Sequence, residues 1–462
     1  MILPEAFLAA LPIPQNEVSD FVESLALDTP VSVRFNPMKA LPNQNFQPVP
    51  WCDHAYYLPT RPRFTSDPAF HAGAYYPQEA SSMFLGTLIK SLGLDQRPIA
   101  ALDLCAAPGG KSNLLRTALH PQSFLLANET IGSRTKILNE TLLKWGISGY
   151  AITQKDPSVL GRLEGMFDLI LVDAPCSGEG LFRKNPDAIK EWSPNLVNLC
   201  SSRQKRILSD IWPALKPGGI LIYSTCTYNQ QENEANLEWL SKEKNAQALP
   251  IEIPSLTGLI ITFRSGISGY RFMPHKITGE GFFIAAVQKL DEKSQRQKKV
   301  SHPQLKPYKS KLLDANRFHA SDQPGNVFAL LEDHLPSLGG ILAAGIKLYQ
   351  PGMPLGRDRA GQFKPDHGYA MQASAQKMLP VIEVELEQAL HYLSRADLAI
   401  DTNSNATLSL MRHAGFDLGL GKLRNGRITS EYPIHWRILH AQESLYQPLS
   451  LAVESLTPEK GS

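Results

Sequence analysis

Cysteine is scarce in this chain of 462 residues and never paired: Cys52, Cys105, Cys176, Cys200 and Cys226 stand far apart, with no CxxC or CxxH spacing. That argues against a structural zinc site, and the odd count argues against a disulfide framework. We therefore expect no metal and a reducing, cytoplasmic setting. Charge of one sign is lacking too. Lys and Arg number 46 against 44 Asp and Glu, a net charge of +2, so any nucleic-acid contact must come from local clusters. No run of 18 apolar residues occurs, which predicts no transmembrane helix. The opening MILPEAFLAALPIP lacks a basic segment, and Pro12 and Pro14 interrupt its apolar run, unlike a signal peptide. Charged residues make up only 19% of the chain against 43% hydrophobic, enough apolar material for sizeable cores and against wholesale disorder.

The sequence patterns divide the chain. Residues 1–95 read as a small α/β module, with a helix over Glu17–Leu27, a strand over Val31–Pro37 and a helix over Gln78–Leu92. Residues 96–290 are the most regular. Apolar strands at Pro98–Leu104, Ser123–Glu129, Tyr150–Asp156, Phe167–Pro175 and Gly218–Cys226 alternate with helices at Lys111–Leu119 and Arg134–Trp145. A closing hairpin is expected over Gly269–His275 and Gly281–Lys289. This alternation predicts an α/β fold with a parallel sheet covered on both faces. Residues 289–311 hold eight Lys and Arg against two acids, and the stretch 291–311 reads as a basic linker. Residues 312–395 are expected to be helical at both ends around a Gly/Pro-rich middle, and 396–462 to be rich in strands.

The segment Asp103-Leu-Cys-Ala-Ala-Pro-Gly-Gly-Lys-Ser112 leaves a strand and opens a helix. Its small residues let a ligand approach the backbone, and the helix start offers free N–H groups. Cys105 occupies the place of the first glycine of a Walker A loop, so a nucleoside-triphosphate P-loop is disfavoured, and no GxGxxG is present. Acids follow the next strands: Glu129, Asp156 and Asp173. In an open α/β sheet, ligands bind outside the carboxyl ends of the strands. An acid after the second strand can accept from ribose hydroxyls, and one after the third from an adenine amino group. The set suits a nucleoside bearing a cationic sulfonium, S-adenosylmethionine, although each acid alone could be a helix N-cap or a solvated strand end.

Two cysteines follow two strands, in Asp173-Ala-Pro-Cys-Ser-Gly-Glu-Gly180 and Ser224-Thr-Cys-Thr227. Methyl transfer to N, O or S needs no thiol. Carbon 5 of a pyrimidine is a poor nucleophile until a thiolate adds at carbon 6, and a second, base-like group must then remove the carbon 5 proton. Two thiols fit the two roles, and Asp173 could hydrogen-bond the pyrimidine edge. A thiol of pKa ~8.5 needs local stabilisation to act as nucleophile near neutrality.

The strings DLCAAPGGKS, DAPCSGEG and YSTCT resemble the Nol–Nop–Sun family of S-adenosylmethionine-dependent RNA cytosine-5 methyltransferases, across the whole of 96–290. The resemblance implies a class I, Rossmann-like methyltransferase domain. It implies that Cys226 is the nucleophile, that Cys176 assists product release, and that Cys105, Ala106, Ala107, Pro108, Gly109, Gly110, Lys111, Glu129, Asp156 and Asp173 form the cofactor pocket. AYYPQEASSM (Ala74–Met83) and FKPDHGYAMQAS (Phe363–Ser374) are similar to segments of the bacterial small-subunit rRNA methyltransferase F type. GFDLGLGKLRNGRITSEYPIHWR (Gly415–Arg437) is similar to its final PUA-like, RNA-binding module. A monomer acting on 16S rRNA or the small ribosomal subunit is implied. A tRNA cytosine-5 methyltransferase and a ribosome-assembly RNA-binding protein are the alternatives.

For RNA contact, Arg412, Lys422, Arg424, Arg427 and Arg437 are interleaved with Phe416, Tyr432 and Trp436, a mix suited to phosphate contact and base stacking. The same aromatics could instead fill a small core. Arg183, Lys184, Arg203, Lys205 and Arg206 could line an RNA path or be helix surface charge. Met353, Met371 and Met378 are expected in cores, and His367 and His435 lack ligand partners at metal spacing.

Overall fold

The computed structural model describes residues 2–439, apart from 43–44, 250, 254, 291–304, 316, 323–324, 374 and 400–406, together with the strand Leu451–Ala452. Most of the expected basic linker and much of 440–462 lie outside the described residues.

A ten-stranded sheet organises the centre. Its parallel strands are β1 (Ala100–Asp103), β2 (Phe124–Asn128), β3 (Tyr150–Thr153), β4 (Phe167–Asp173) and β5 (Leu215–Thr225). Between them run helices α1 (Gly110–Ala118), α2 (Gly132–Trp145) and α3 (Pro194–Ile211). The order is β5-β4-β1-β2-β3, extended beyond β5 by the antiparallel strands Phe282–Lys289, Ile267–Phe272 and Ile260–Arg264. Leu102, Leu126, Ala151, Ile170 and Leu221 are buried together on one face, and Ala101, Leu125, Ile152, Leu169 and Ile222 on the other. That two-sided burial is why these strands read as unbroken apolar runs. The strand order reverses between β1 and β4, and this switch point places a crevice at their carboxyl ends.

Several expectations shift. The strand read as Tyr150–Asp156 stops at Thr153, because Asp156 accepts from the Ser158 N–H and caps a short helix at Pro157–Leu160. The helix read from Gln78 begins later, with a 3₁₀ turn at Ser81–Phe84 and an α-helix at Leu85–Ser91. Glu79 there accepts from the Ser81 and Ser82 N–H groups and sits before the turn. The first part of 312–395 is not helical. His319–Ser321 and Asn326–Ala329 form an antiparallel pair in a five-stranded sheet with Lys306–Pro307, Met353–Arg359 and Gln362–Pro365, and the first α-helix starts at Leu335. From the same region Leu348–Gln350 pairs with β3 and covers that edge of the central sheet. The last sheet takes Val381–Glu383 and Leu398–Ala399 together with Leu408–His413, Phe416–Arg424 and Arg427–Ser430. Its main hairpin turns through Ala414 and Gly415, both at positive φ, as a tight two-residue turn requires.

All the modules meet at the end of α2. Asn36, just after the N-terminal strand Val31–Phe35, donates to the Trp145 carbonyl at 2.7 Å, and Lys39 to the Lys144 carbonyl at 2.7 Å. His71 bonds the Tyr432 hydroxyl at 2.9 Å. His367 packs edge-on against Tyr432 and Trp436, and both its ring nitrogens are buried without a hydrogen-bond partner among the described residues. Burial, then the Lys144 and Lys39 ammonium groups and His71, push the His367 pKa down to about 3. The unfolded chain therefore binds this proton below pH 6.5 and the folded chain does not, so stability falls as pH drops through that range. His367→Phe should flatten the acid side of the stability curve by about 1.4 kcal/mol per pH unit between pH 6 and 4. Urea unfolding of parent and variant at several pH values measures the slope difference, whatever packing cost the larger ring adds.

Candidate active site

The two cysteine loops meet at the switch-point crevice. Asp173, the last residue of β4, is in register with Ser224 of β5, so Cys176 and Cys226 leave neighbouring strands at the same level. The loops are laced together. Ala174 N–H donates to the Ser224 carbonyl at 2.9 Å, Gly180 N–H to the Cys226 carbonyl at 2.9 Å, and the Ser177 and Thr227 hydroxyls lie 3.0 Å apart. A β-carbon at Gly180 would come within 2.4 Å of the Gly281 carbonyl oxygen and 2.8 Å of that of Cys226, so only glycine permits this approach. The result is a contact of 3.2 Å between the two sulfurs, each half-buried. The hydrogen bond to Cys226, followed by burial, holds the Cys176 thiol well above the usual thiol range. Either sulfur can be the donor in the S–H···S contact.

Lys111, at the start of α1, closes one side. Its Nζ lies 2.9 Å from Asp173 Oδ2, and Ser224 Oγ donates to Asp173 Oδ1 at 2.8 Å. Burial pushes the Lys111 pKa down, but Asp173 and, more weakly, Cys226 and Asp103 outweigh it, and the net shift is upward. The ammonium therefore stays charged beside the cysteine pair.

The Gly-rich turn occupies the end of β1. Asp103 is fully buried. One carboxylate oxygen accepts from Ser112 at 2.6 Å and the other has no hydrogen-bond partner among the described residues. Burial lifts the Asp103 pKa to about 7, and Asp173 and Glu129 add to the rise. Gly109 takes φ +114°, and a β-carbon there would stand 2.8 Å from Thr141 Cγ2. Glu129 is buried after β2, accepts from the Ile131 N–H at 3.0 Å, and lies 3.5 Å from Arg134, which donates to the Ala107 carbonyl. Cys105 is half-buried, and burial beside Asp103, Asp173 and Glu129 raises its thiol pKa far above the usual range. Asp156 differs from the other acids: it is exposed on the rim, capping Ser158 and lying 3.7 Å from Arg206.

The expected RNA-facing residues are brought together less well. Phe416 and Tyr432 are buried in the core of the last sheet and are not available for stacking; only Trp436 is partly exposed. Arg412 pairs with Asp417 and Lys422 with Glu431, while Arg424, Arg427 and Arg437 are exposed. Arg183 is buried, held by Glu280 at 3.0 Å and by the Gly279 carbonyl, so it is structural. Arg206 pairs with Asp156 and Asp210; Lys184 and Arg203 are exposed and Lys205 is half-buried. Met353 and Met371 fill cores as expected, but Met378 is exposed. Among the described residues no group of His, Cys, Asp and Glu is arranged to hold a metal ion, and no helix is long and apolar enough to cross a membrane. Sequence reasoning missed Ser224, Ser177, Thr227 and Glu232 at this site.

Family models match most of the chain: 16S rRNA methyltransferase RsmB/F over residues 94–288, the N-terminal domain of 16S rRNA methyltransferase RsmF over 3–80, and the methyltransferase RsmF PUA domain over 379–438. The ribosomal RNA small subunit methyltransferase F of Shewanella oneidensis is 30% identical, covering 90% of this chain and 92% of its own. That of Aeromonas salmonicida is 29% identical over 93% and 96%. The crystal structure of NSun6 from Pyrococcus horikoshii with SFG shares the fold, with a TM-score of 0.51 at 18% identity over 63% of this chain and 99% of that one.

Proposed function

The chain belongs to the 16S rRNA methyltransferase RsmB/F family, with a Rossmann-like methyltransferase fold, an N-terminal domain and a C-terminal PUA domain; from that premise we propose that it transfers a methyl group from S-adenosylmethionine to carbon 5 of a cytosine in 16S rRNA, through a covalent Cys226–cytosine adduct. The observation behind this reading is the 3.2 Å contact of two sulfurs beside the Lys111–Asp173 pair. An N- or O-methyltransferase has no use for such a pair.

The residues at the Gly-rich turn fit a cationic nucleoside. Asp103 presents a buried carboxylate oxygen without a partner among the described residues, Asp173 and Glu129 add negative charge, and Gly109 leaves the backbone bare. Cys105 through Lys111 with Glu129 would hold the cofactor's ribose and tail, and Asp156 contributes from the rim. When bound, S-adenosylmethionine supplies an electrophilic methyl group. The Cys226 thiolate adds to carbon 6, and the ring electrons move to carbon 5. Asp173, oriented by Lys111 and Ser224, accepts a hydrogen bond from the pyrimidine edge, and the nearby ammonium balances charge on the ring. Because the two sulfurs touch, both lie on one face of the base, with Cys226 at carbon 6 and Cys176 beside carbon 5. A methyl group arriving on the opposite face turns the carbon 5 proton towards Cys176. Cys176, once its thiol proton has passed to solvent, accepts the proton from carbon 5; the C5–H electrons re-form the C5–C6 double bond and the C6–S bond breaks to release the Cys226 thiolate. The target base must leave its stack to reach this crevice, at a cost of a few kcal/mol, and exposed Arg424, Arg427 and Arg437 supply phosphate contacts that help offset it.

Bisulfite mapping of 16S rRNA and tRNA from a strain lacking the protein tests this reading. The expected result is one or more 16S cytosines that lose 5-methylation and regain it when purified protein and cofactor are added. Loss confined to tRNA, or no loss, would refute it. A cofactor-side prediction is separate. Gly109→Ala forces a left-handed backbone onto alanine and drives its methyl into Thr141, so calorimetric titration should show S-adenosylmethionine binding weakened tenfold or more. Unchanged affinity would remove this turn from the cofactor pocket.

A further inference from the structure

Behind the Pro-Cys loop lies a carboxylate that the chemistry above does not use. Glu232 is 0% exposed. Its Oε2 accepts the Ser177 N–H at 3.1 Å and the Gln204 amide at 2.8 Å, while its Oε1 is buried without a hydrogen-bond partner among the described residues. Gln204, on α3, also donates to the Pro175 carbonyl at 3.0 Å and accepts from Asn236 at 2.9 Å. The Tyr223 hydroxyl donates to the Glu232 carbonyl at 2.7 Å. The carboxylate thus grips the chain on both sides of Cys176. Two N–H donors could equally be satisfied by a neutral amide, so the hydrogen bonds alone do not call for a charge. Burying a charge there carries a desolvation penalty.

The charge has an effect on the thiol pair. Two cysteines in contact, in similar loops, would otherwise have no marked preference for which one ionises. Here the surroundings are asymmetric. Lys111 feels the Cys226 sulfur, whereas Cys176 is raised by the hydrogen bond to Cys226, by burial and by Glu232, with the Gly178 N–H acting the other way. Tyr223, which also feels Cys176 and Glu232, is itself held neutral by burial, and Glu179 adds a like charge near Glu232. Resting on the reading above, we propose that Glu232 is a positioning residue: it ties the Pro-Cys loop to α3 and sets one negative charge behind Cys176, so that the charge of the thiol pair sits on Cys226. The choice between the two cysteines, which spacing leaves open, is then made by a field running from Lys111 to Glu232. Burial pushes the Glu232 pKa up to about 7, so this field strengthens as pH rises through neutrality.

Thiol alkylation tests this without RNA or cofactor, and so stands apart from whether the chain methylates cytosine. In a Cys226→Ala background, the pH midpoint for iodoacetamide labelling of Cys176 is followed by mass spectrometry. Glu232→Gln, and Glu232→Ala as a second neutral variant in case one fails to fold, should lower the midpoint by about one unit, the size expected on removing a nearby like charge. Glu232→Asp, which keeps the charge, should leave it near the parent value. With both cysteines present, the neutral variants should spread the first label from Cys226 onto Cys176. A midpoint unmoved in a folded neutral variant, or moved equally by Glu232→Asp, overturns the proposal. Either result leaves methyl transfer, measured separately, untouched.

Discussion

Cys226→Ala is expected to lower methyl transfer by about 1000-fold or more, equivalent to ~4 kcal/mol of transition-state stabilisation, and to leave no covalent protein–RNA species on a denaturing gel. Carbon 5 of cytosine becomes a nucleophile only while a sulfur is bonded to carbon 6. Removing that sulfur therefore removes the pathway rather than a fraction of its rate. Folding should survive, because Cys226 is half-buried and the loop is held by the Gly180 N–H to its carbonyl and by Ser177 to Thr227, none of which uses the sulfur. Cofactor affinity should change little for the same reason. Label transfer from S-adenosylmethionine to 16S rRNA measures the loss, with thermal unfolding as the check on the fold. Turnover retained within tenfold would exclude Cys226 as nucleophile. The remaining thiol should not substitute, since in the proposed pose it stands beside carbon 5 and not carbon 6.

How much of this could be read in advance follows from the physics of each element. The strands of the central sheet are buried on both faces, so their sequences are nearly unbroken apolar runs, and both the alternation with helices and the strand-end loops followed. The family resemblance then supplied the roles of the two cysteines. Helix α3 was overlooked although its signals were present: Ser193 caps it, Pro194 opens it, and Val197, Cys200, Gln204, Ile207, Leu208 and Ile211 form its buried stripe. Polar Gln204 interrupts the stripe because it serves the Pro-Cys loop. Asp156 carries a second role. An acid two residues before a serine at the start of a Pro-led turn is also a helix cap, and the structure uses it so. Phe416 and Tyr432 looked like stacking residues because they are interleaved with basic side chains in the sequence. Both rings instead fill the core under the last sheet. Glu232 had no local signal at all. Its partners Ser177 and Gln204 lie 55 and 28 residues away, and only folding makes a neighbourhood of them.

Cys176→Ala separates the two thiols by a qualitative difference. With Cys226 intact, addition to carbon 6 and methylation at carbon 5 still proceed, but no sulfur stands beside carbon 5 to take the proton. The C6–S bond cannot break until that proton leaves, so protein should accumulate joined to methylated RNA, visible as a slow band that needs both cofactor and RNA. Multiple turnover should fall about 100-fold, in the range for loss of a positioned general base, while a single methyl group per protein molecule is still delivered. The double variant with Cys226→Ala should show neither band nor turnover, which places the cysteines in sequence along one path. The 3.2 Å contact makes the prediction specific: a residue that only shaped the pocket would slow addition and release together and trap nothing. If Cys176→Ala turns over without a band, proton removal belongs to another group. If it shows neither band nor first turnover, Cys176 acts before the adduct forms, and the two roles must be exchanged.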